Sequence, residues 1–158
     1  MALQIGQQAP EFTLYTTFND TISLSDYAGK KNVLLLFFPQ AFTGNCTKQL
    51  CFARDNMSVY NNIDAQVIGI SVDSVATLNK FAGEQELNFP LVSDFNKEVS
   101  TTYDCLHESF THMHMKGVSK RSAFVIDKQG IVQYAEVLDN PGDLPNFEAI
   151  NAVLERLS

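Results

Sequence analysis

The sequence predicts an α/β fold in which helices flank a central mixed β-sheet and a β-hairpin lies near the N-terminus. Residues 33–38 and 67–72 form two runs that are almost wholly apolar. Such runs are typical of strands that are buried on both faces of a sheet. Segments with helical spacing alternate with these strands, and a second hairpin pattern covers residues 121–137. This alternation favours a sheet with helices on both faces.

The other predicted elements complete this pattern. Residues 12–17 and 21–24 have the alternation of a hairpin, and a short helical turn is expected to end at Gly29. The remaining elements are a helix over about 43–60, a helix capped by Ser74, a strand at 89–94, a short helix through Tyr103, a hairpin across Lys128-Gln129-Gly130 and a C-terminal helix from about Asn146 to Leu157.

The composition indicates an ordinary globular protein. The chain has 158 residues, of which 45% are apolar and 18% charged, so we expect residues 1–158 to form a single domain. The formal net charge of −7 argues against binding to nucleic acid or to an anionic membrane. The apolar run at 33–38 is too short to cross a bilayer, and the N-terminus lacks the pattern of a signal peptide. These features predict a cytoplasmic protein.

The chain has three cysteines that are candidates for a reactive site, Cys46, Cys51 and Cys105. Their number is odd and too small for a disulfide framework. No CxxC pair occurs, and the step from Cys46 to Cys51 lies outside the usual zinc spacing, so no metal site is predicted. In a reducing compartment, thiols are more often buried or reactive than cross-linked. Cys105 is most simply a small core residue, with a role as a second redox thiol as the alternative.

Cys46 has the position expected of a reactive thiol. It follows Gly44-Asn45, where the predicted helix over 43–60 begins. The first turn of a helix presents unpaired N–H groups and the positive end of the helix dipole, and both stabilise a thiolate. The thiolate is the nucleophilic form of cysteine. Arg121, at the head of a predicted neighbouring strand, is a candidate for a cation that adds to this effect.

Thr43 and Pro39 complete the candidate site. The Thr43 hydroxyl can donate and accept hydrogen bonds, and Pro39 offers an apolar surface without an N–H donor. Taken singly, Thr43 is an ordinary helix cap, Pro39 an ordinary strand end and Arg121 an ordinary surface charge. Their combination with Cys46 at fixed spacing favours a catalytic site.

The pattern Pro39-x-x-x-Thr43-x-x-Cys46 resembles the active-site signature of the peroxiredoxins, a family of thiol peroxidases. The segments APEFTL, PLVSDF and KRSAFVIDKQGIV also resemble peroxiredoxin segments and occur in the same order, so the resemblance covers nearly the whole chain. Within the family, the chain most resembles the bacterioferritin-comigratory-protein (Q-type) and alkylhydroperoxidase-E-like groups. The resemblance implies a thioredoxin-like fold.

The resemblance also implies a role for each residue of the candidate site. Cys46 corresponds to the peroxidatic cysteine, which attacks the peroxide O–O bond and becomes a sulfenic acid. Thr43 corresponds to the threonine that orients the peroxide, and Pro39 to the proline that shields the pocket. Arg121 corresponds to the arginine that stabilises the thiolate and the charge on the departing oxygen. Gln49 departs from the pattern, because many relatives have Glu there. No metal or organic cofactor is required, because sulfur supplies both electrons.

Cys51 is expected to resolve the sulfenic acid, because Q-type relatives often have a resolving thiol at this spacing. On an ideal helix, the Cα atoms of Cys46 and Cys51 lie about 8.6 Å apart. A disulfide needs less than about 7 Å. A bond between the two therefore requires the start of the helix to unwind. The alternative is that Cys51 only packs and that an external thiol resolves Cys46.

The implied partners are a hydroperoxide substrate and a thioredoxin- or glutaredoxin-type reductant, for a protein that is a monomer or a homodimer. A peroxide sensor that passes oxidation to a partner protein is a second hypothesis. A disulfide reductase is a third, against which the absence of CxxC argues. The intact set of Pro39, Thr43, Cys46 and Arg121 argues against an inactive binding module but not against a relay.

Overall fold

The order of helices and strands agrees with the predicted α/β pattern. The computed structural model describes residues 3–158. Its elements are β1 (Thr13–Tyr15), β2 (Thr21–Ser23), a 3-10 helix (Leu24–Tyr27), β3 (Asn32–Phe37), α1 (Gly44–Asp55), α2 (Met57–Asn62), β4 (Ala65–Ser71), α3 (Val75–Glu84), β5 (Leu91–Ser93), α4 (Glu98–Thr102), β6 (Ser122–Ile126), β7 (Val132–Val137) and α5 (Phe147–Leu157).

The central sheet has five strands in the order β5-β4-β3-β6-β7. β3 and β5 each run parallel to β4, whereas β6 runs antiparallel to both β3 and β7. This arrangement confirms the predicted mixed sheet. The N-terminal hairpin is also confirmed, with Leu14 of β1 opposite Ile22 of β2, and it forms a separate two-stranded sheet.

Two apolar cores lie on opposite faces of the central sheet, because successive side chains of β3 point to opposite sides. Leu34 and Leu36 belong to the core that includes residues of α1, α2, α3 and α5. Leu35 and Phe37 belong to the second core, which includes residues of α4, the 3-10 helix and the N-terminal hairpin. Helices therefore cover both faces, as predicted. Burial on both faces explains the unbroken apolar sequence of β3.

The prediction of one helix over 43–60 is wrong, because α1 and α2 are separate helices with Asn56 between them. The Asn56 side-chain Nδ2 donates a hydrogen bond to the Phe52 carbonyl oxygen over 2.8 Å. Asparagine competes in this way with the hydrogen bonds of the helical backbone, which is consistent with a break here. The apolar spacing continues across the break, and Leu50 of α1 and Met57 of α2 pack in the same core.

Two of the predicted helix starts have the capping contacts that their sequences suggest. The Ser74 hydroxyl accepts a hydrogen bond from the Thr77 backbone N–H over 3.2 Å at the start of α3. The Asn146 side chain accepts one from the Ala149 N–H over 3.0 Å at the start of α5. Each contact satisfies one of the unpaired amides of a first helical turn.

The described helices are short compared with a membrane-spanning helix. The longest described helix, α1, has 12 residues, whereas a membrane-spanning helix needs about 20. Within residues 3–158, no helix is both long and apolar enough to cross a bilayer.

Candidate active site

Cys46 lies in the first turn of α1, which begins after the loop that follows β3. It is the third residue of the helix, and its side chain is 1% exposed. The first four N–H groups of a helix have no partner within the helix, and the dipole is positive at this end. Cys46 therefore has the helix-start position that the sequence predicts, beside groups that favour a negative charge on sulfur.

Arg121 reaches this helix start because of the sheet register. Phe37 at the end of β3 pairs with Ser122 at the start of β6, so Arg121 lies at the sheet edge from which α1 departs. Its Nη1 donates a hydrogen bond to Cys46 Sγ over 3.3 Å. Its Nη2 donates to the Pro141 carbonyl oxygen over 3.3 Å. Arg121 is thus a direct neighbour of the sulfur rather than a surface charge.

The Arg121 guanidinium is a buried cation without a carboxylate partner among its hydrogen-bond acceptors. Its residue is only 2% exposed. Among residues 3–158, its acceptors are the Cys46 sulfur, the Gln49 amide oxygen and the Pro141 carbonyl. Burying a charge without a counter-charge is costly. Arg121 therefore presents an unbalanced positive charge to the Cys46 sulfur at hydrogen-bond distance.

Gln49 aligns the guanidinium with the sulfur. It is fully buried, and its Oε1 accepts a hydrogen bond from Arg121 Nη1 over 2.7 Å. Its Nε2 donates to the Phe37 carbonyl oxygen over 3.3 Å, which ties α1 to the end of β3. Gln49 therefore accepts from the arginine without adding charge to the site. Within the described part of the chain, Arg121 Nε is buried and has no acceptor.

The loop between β3 and α1 contains Pro39 and Thr43. Pro39 is buried at the end of β3. Thr43 is the N-cap residue of α1 but makes no side-chain cap, because its hydroxyl donates to the Gln40 carbonyl oxygen over 2.8 Å. The side chain is exposed, so the lone pairs of the hydroxyl remain available to accept a hydrogen bond from a ligand.

Asp73 fastens this loop to the end of β4. Its Oδ2 accepts hydrogen bonds from the Ala41 backbone N–H over 2.8 Å and from the Ser71 hydroxyl over 2.7 Å. The next loop residue, Phe42, has a φ of 68°, which is uncommon for a residue with a side chain. The loop thus holds an unfavourable backbone conformation beside Cys46, and the contacts of Asp73 help to maintain it.

The other two cysteines lie in different surroundings. Cys51 is half-buried on the same unbroken helix as Cys46, and its Sγ donates a hydrogen bond to Gln85 Oε1 over 3.5 Å. Cys105 is fully buried in the core on the opposite face of the sheet. Burial raises the pKa of the Cys105 thiol to about 12. All three thiols are free.

The fold therefore assembles most of the predicted site. Cys46 and Arg121 are in contact, while Thr43 and Pro39 lie on the loop that leads into α1. Cys51 is on the same helix as Cys46, but its thiol donates a hydrogen bond to Gln85, which is not part of the predicted site. Sequence reasoning missed the Pro141 carbonyl and Asp73, because no motif indicates that their contacts reach this edge of the sheet. The Ser71-x-Asp73 spacing at the end of an apolar strand was the one available signal for a polar group there.

A helix-start cysteine against a buried guanidinium, at the edge of a mixed sheet, defines a thiol-based redox enzyme with a thioredoxin-like fold. Comparison with protein families gives the AhpC/TSA family, whose model matches residues 5–135. Alkyl hydroperoxide reductase E from Mycobacterium tuberculosis is 38% identical over 144 residues, which cover 90% of each chain.

Two solved structures have the same fold. The crystal structure of peroxidoxin BcpB from Mycobacterium tuberculosis matches with a TM-score of 0.85 and 25% identity, over 99% of each chain. A cysteine-to-serine mutant of PrxQ from Xylella fastidiosa matches in fold with a TM-score of 0.86 and 24% identity, over 99% of this chain and 98% of that one. The chain belongs to the AhpC/TSA family; it is a peroxiredoxin, and it reduces hydroperoxides with a thiol.

Proposed function

We propose that Cys46 is the peroxidatic cysteine, that Cys51 resolves its sulfenic acid, and that a thioredoxin- or glutaredoxin-type protein reduces the resulting disulfide. The substrates are hydrogen peroxide and organic hydroperoxides. The observation that carries the proposal is the hydrogen bond from the buried Arg121 guanidinium to Cys46 Sγ. It sets a fixed positive charge and a hydrogen-bond donor against the sulfur, and the thiolate is the nucleophilic form of cysteine.

In the first step, the Cys46 thiolate attacks one peroxide oxygen. An S–O bond forms, the O–O bond breaks, and the other oxygen leaves as hydroxide or alkoxide and takes up a proton. Sulfur loses two electrons and the peroxide gains them, so the step needs no metal or organic cofactor. Arg121 stabilises the thiolate and the charge on the departing oxygen, and the free amides at the start of α1 add donors at the same place.

Thr43 and Pro39 position the substrate in this proposal. The Thr43 hydroxyl proton is engaged by the Gln40 carbonyl, so its oxygen accepts a hydrogen bond from the terminal O–H of the peroxide. This contact orients the O–O bond toward Cys46. Pro39 is buried and has no N–H, so it excludes water from the sulfur without offering a competing donor.

In the second step, the Cys51 thiolate attacks the sulfenic sulfur of Cys46. An S–S bond forms, the S–O bond breaks, and hydroxide leaves as water after protonation. Because both cysteines belong to the one helix α1, residues between them must leave the helical conformation first. Cys105 is a poor alternative, since it lies in the core on the other face of the sheet.

Re-reduction of the disulfide by a dithiol protein returns both thiols and requires a reducing compartment, which we propose to be the cytoplasm. We propose a monomer or a homodimer. The alternative function is that of a one-cysteine peroxidase, in which an external thiol attacks Cys46, or of a sensor that passes the oxidation to another protein. The half-buried position of Cys51 on α1 favours the internal thiol.

Peptide mapping after one equivalent of peroxide tests the proposal. Lys48 lies between the two cysteines, so trypsin converts a Cys46–Cys51 disulfide into a cross-linked pair of peptides that separates on reduction. We expect this pair in a monomeric product, together with turnover by a thioredoxin system. A bond to Cys105, a bond between subunits or a persistent sulfenic acid would overturn the assignment of Cys51. Turnover with an external thiol alone would support the one-cysteine alternative.

A further inference from the structure

The second half of α1 is tied to the end of α3 by three hydrogen bonds. Arg54 Nη1 donates to the Gln85 carbonyl oxygen over 2.6 Å, and Cys51 Sγ donates to Gln85 Oε1 over 3.5 Å. The Asn88 side chain donates to the Arg54 carbonyl oxygen over 3.3 Å. We call this set of contacts between Cys51, Arg54, Gln85 and Asn88 the α1–α3 clasp.

On the α3 side of the clasp, the backbone forms a hydrogen-bonded turn. The Leu87 N–H donates to the Ala82 carbonyl over 3.0 Å, and the Glu86 N–H donates to the Gly83 carbonyl over 3.3 Å. These bonds form a Schellman motif after the C-cap residue Gln85. The carbonyl of a C-cap has no partner within its helix, and a cation is favourable at this end of the dipole. The Arg54 guanidinium meets both requirements.

The clasp holds Cys51 away from Cys46. On an ideal helix, a five-residue step turns the side-chain direction by about 140°. Cys46 points to Arg121, whereas Cys51 points to Gln85 on α3. To attack the sulfenic sulfur, Cys51 must lose its bond to Gln85, give up its proton and leave the helical conformation.

We infer that the α1–α3 clasp controls how fast Cys51 resolves the Cys46 sulfenic acid, with Arg54 and Gln85 as positioning residues. This inference rests on the proposed Cys46–Cys51 disulfide. While the clasp is closed, the sulfenic acid stays separated from its resolving thiol and is open to a second peroxide. The second reaction converts it to sulfinic acid, with one peroxide reduced and sulfur oxidised by two further electrons. The clasp thus sets the competition between disulfide formation and overoxidation.

Arg54→Met tests the inference, because methionine keeps an unbranched apolar stem but has no donor for the Gln85 carbonyl. A hydrogen bond from a charged group is stronger than one between neutral groups, so we expect about tenfold faster amide exchange in residues 44–55 of the reduced protein. Disulfide formation after one equivalent of peroxide, followed by rapid quenching and intact mass, should be accelerated about tenfold. The peroxide concentration that overoxidises half of the protein should rise about tenfold.

Three further variants make the test specific. Gln85→Met removes only the acceptor for Cys51 and should accelerate disulfide formation about threefold, since a thiol is a weak donor. Arg54→Lys keeps a charged donor and should restore part of the wild-type behaviour. Lys48→Met removes an exposed cation of α1 and should change none of the rates. In every variant, the first oxidation of Cys46 should keep its wild-type rate, which also reports that the site is folded.

The possible results distinguish failure of the inference about the clasp from failure of the proposed Cys46–Cys51 disulfide. If the wild type forms the Cys46–Cys51 bond, but Arg54→Met and Gln85→Met leave its rate and the amide exchange unchanged, the clasp has no control and the inference is overturned. Slower disulfide formation in Arg54→Met would also overturn it, because Arg54 would then assist the Cys51 thiolate, with which it interacts electrostatically. If the wild type forms no such bond, the proposed resolving role of Cys51 fails instead.

Discussion

Arg121 Nη1 lies 3.3 Å from Cys46 Sγ and 2.7 Å from Gln49 Oε1, so one buried nitrogen serves both the sulfur and a neutral amide. Among residues 3–158, the other acceptors of Arg121 are a neutral amide and a peptide carbonyl, whereas the thiol can carry a negative charge as a thiolate. The positive charge of the site is therefore directed at the sulfur rather than balanced by a neighbouring carboxylate. This pairing leads to the first two predictions.

Replacing Arg121 should slow the reaction with peroxide. Arg121→Ala removes the cation that stabilises the Cys46 thiolate and the departing oxygen, so we expect a loss of about 100-fold or more in the rate constant. Arg121→Lys keeps a charge but loses the planar set of donors and should lose less. Stopped-flow mixing with hydrogen peroxide measures the rate, and thiolate absorbance against pH measures ionisation. Unchanged values for both in Arg121→Ala would assign the residue a structural role only.

Gln49→Glu should make the protein more stable but less reactive. The new carboxylate would pair with a guanidinium that is already buried, which outweighs the lost hydrogen bond from the Gln49 amide to the Phe37 carbonyl oxygen, so we expect a net gain of about 1 kcal/mol in the free energy of unfolding. Because the positive charge would then be balanced by the carboxylate, it would stabilise the charge on the departing oxygen less, and the rate of reaction with peroxide should fall. Denaturant unfolding and stopped-flow kinetics check the two effects. Gln49→Leu, which removes both the acceptor for Arg121 and the donor to the Phe37 carbonyl without adding a charge, is the control. A faster reaction in Gln49→Glu would contradict this prediction.

Cys46→Ser should abolish peroxidase activity while leaving the fold intact. A hydroxyl is similar in size to a thiol but is a far weaker nucleophile at neutral pH. Consumption of hydrogen peroxide in a thioredoxin-coupled assay measures activity, and the unfolding midpoint in denaturant measures the integrity of the fold. Appreciable turnover by the variant would remove Cys46 from the central role.

Cys51→Ser should separate the first oxidation from its resolution. Cys46 is unchanged, so one reaction with peroxide is expected at a near-normal rate. The sulfenic acid should then persist, and thioredoxin-dependent turnover should fall, whereas small thiols can still attack Cys46 directly. Mass spectrometry should detect more sulfinic acid than in the wild type at the same peroxide dose. Full thioredoxin-dependent turnover would show that Cys51 is not necessary.

Cys105 should make the stability of the protein depend on pH above neutrality. Burial raises the pKa of its thiol from 9.0 to about 12, so as pH rises the unfolded chain releases the proton before the folded one. The stabilisation from the protonated, buried thiol is complete below about pH 9 and is lost toward pH 12, at up to about 1.4 kcal/mol per pH unit. Urea unfolding between pH 7 and 11 should therefore show a shallower decline in Cys105→Ala than in the wild type. Equal slopes would contradict the prediction.

The sequence was most informative where the residues of one short segment determine the local structure. The apolar run of β3 predicted a strand buried on both faces, and Cys46 next to Gly44-Asn45 predicted a helix-start thiol. Both follow from local chemistry. The break at Asn56 was missed because the apolar spacing continues through it, although a side-chain hydrogen bond to Phe52 favours the end of the helix.

The contacts that complete the site could not be read from spacing. Arg121 and Pro141 are separated by 20 positions, and Cys51 and Gln85 by 34. Each pair meets only because the sheet order and the packing of α1 against α3 bring separate segments together. A sequence identifies which residues are chemically suited to a site, whereas such contacts depend on the whole fold.

Cys46 lies in one core and Cys105 in the other, whereas Cys51 is half-buried on α1, so the three thiols report on different openings of the fold. A thiol-alkylating reagent meets Cys51 when α1 loosens at its outer side, and Cys46 when the helix start leaves Arg121. It meets Cys105 only when the face of the sheet beneath α4 is uncovered. The order in which the reagent labels the three cysteines, followed over time by mass spectrometry, would therefore distinguish local opening of α1 from global unfolding. No engineered cysteine would be needed.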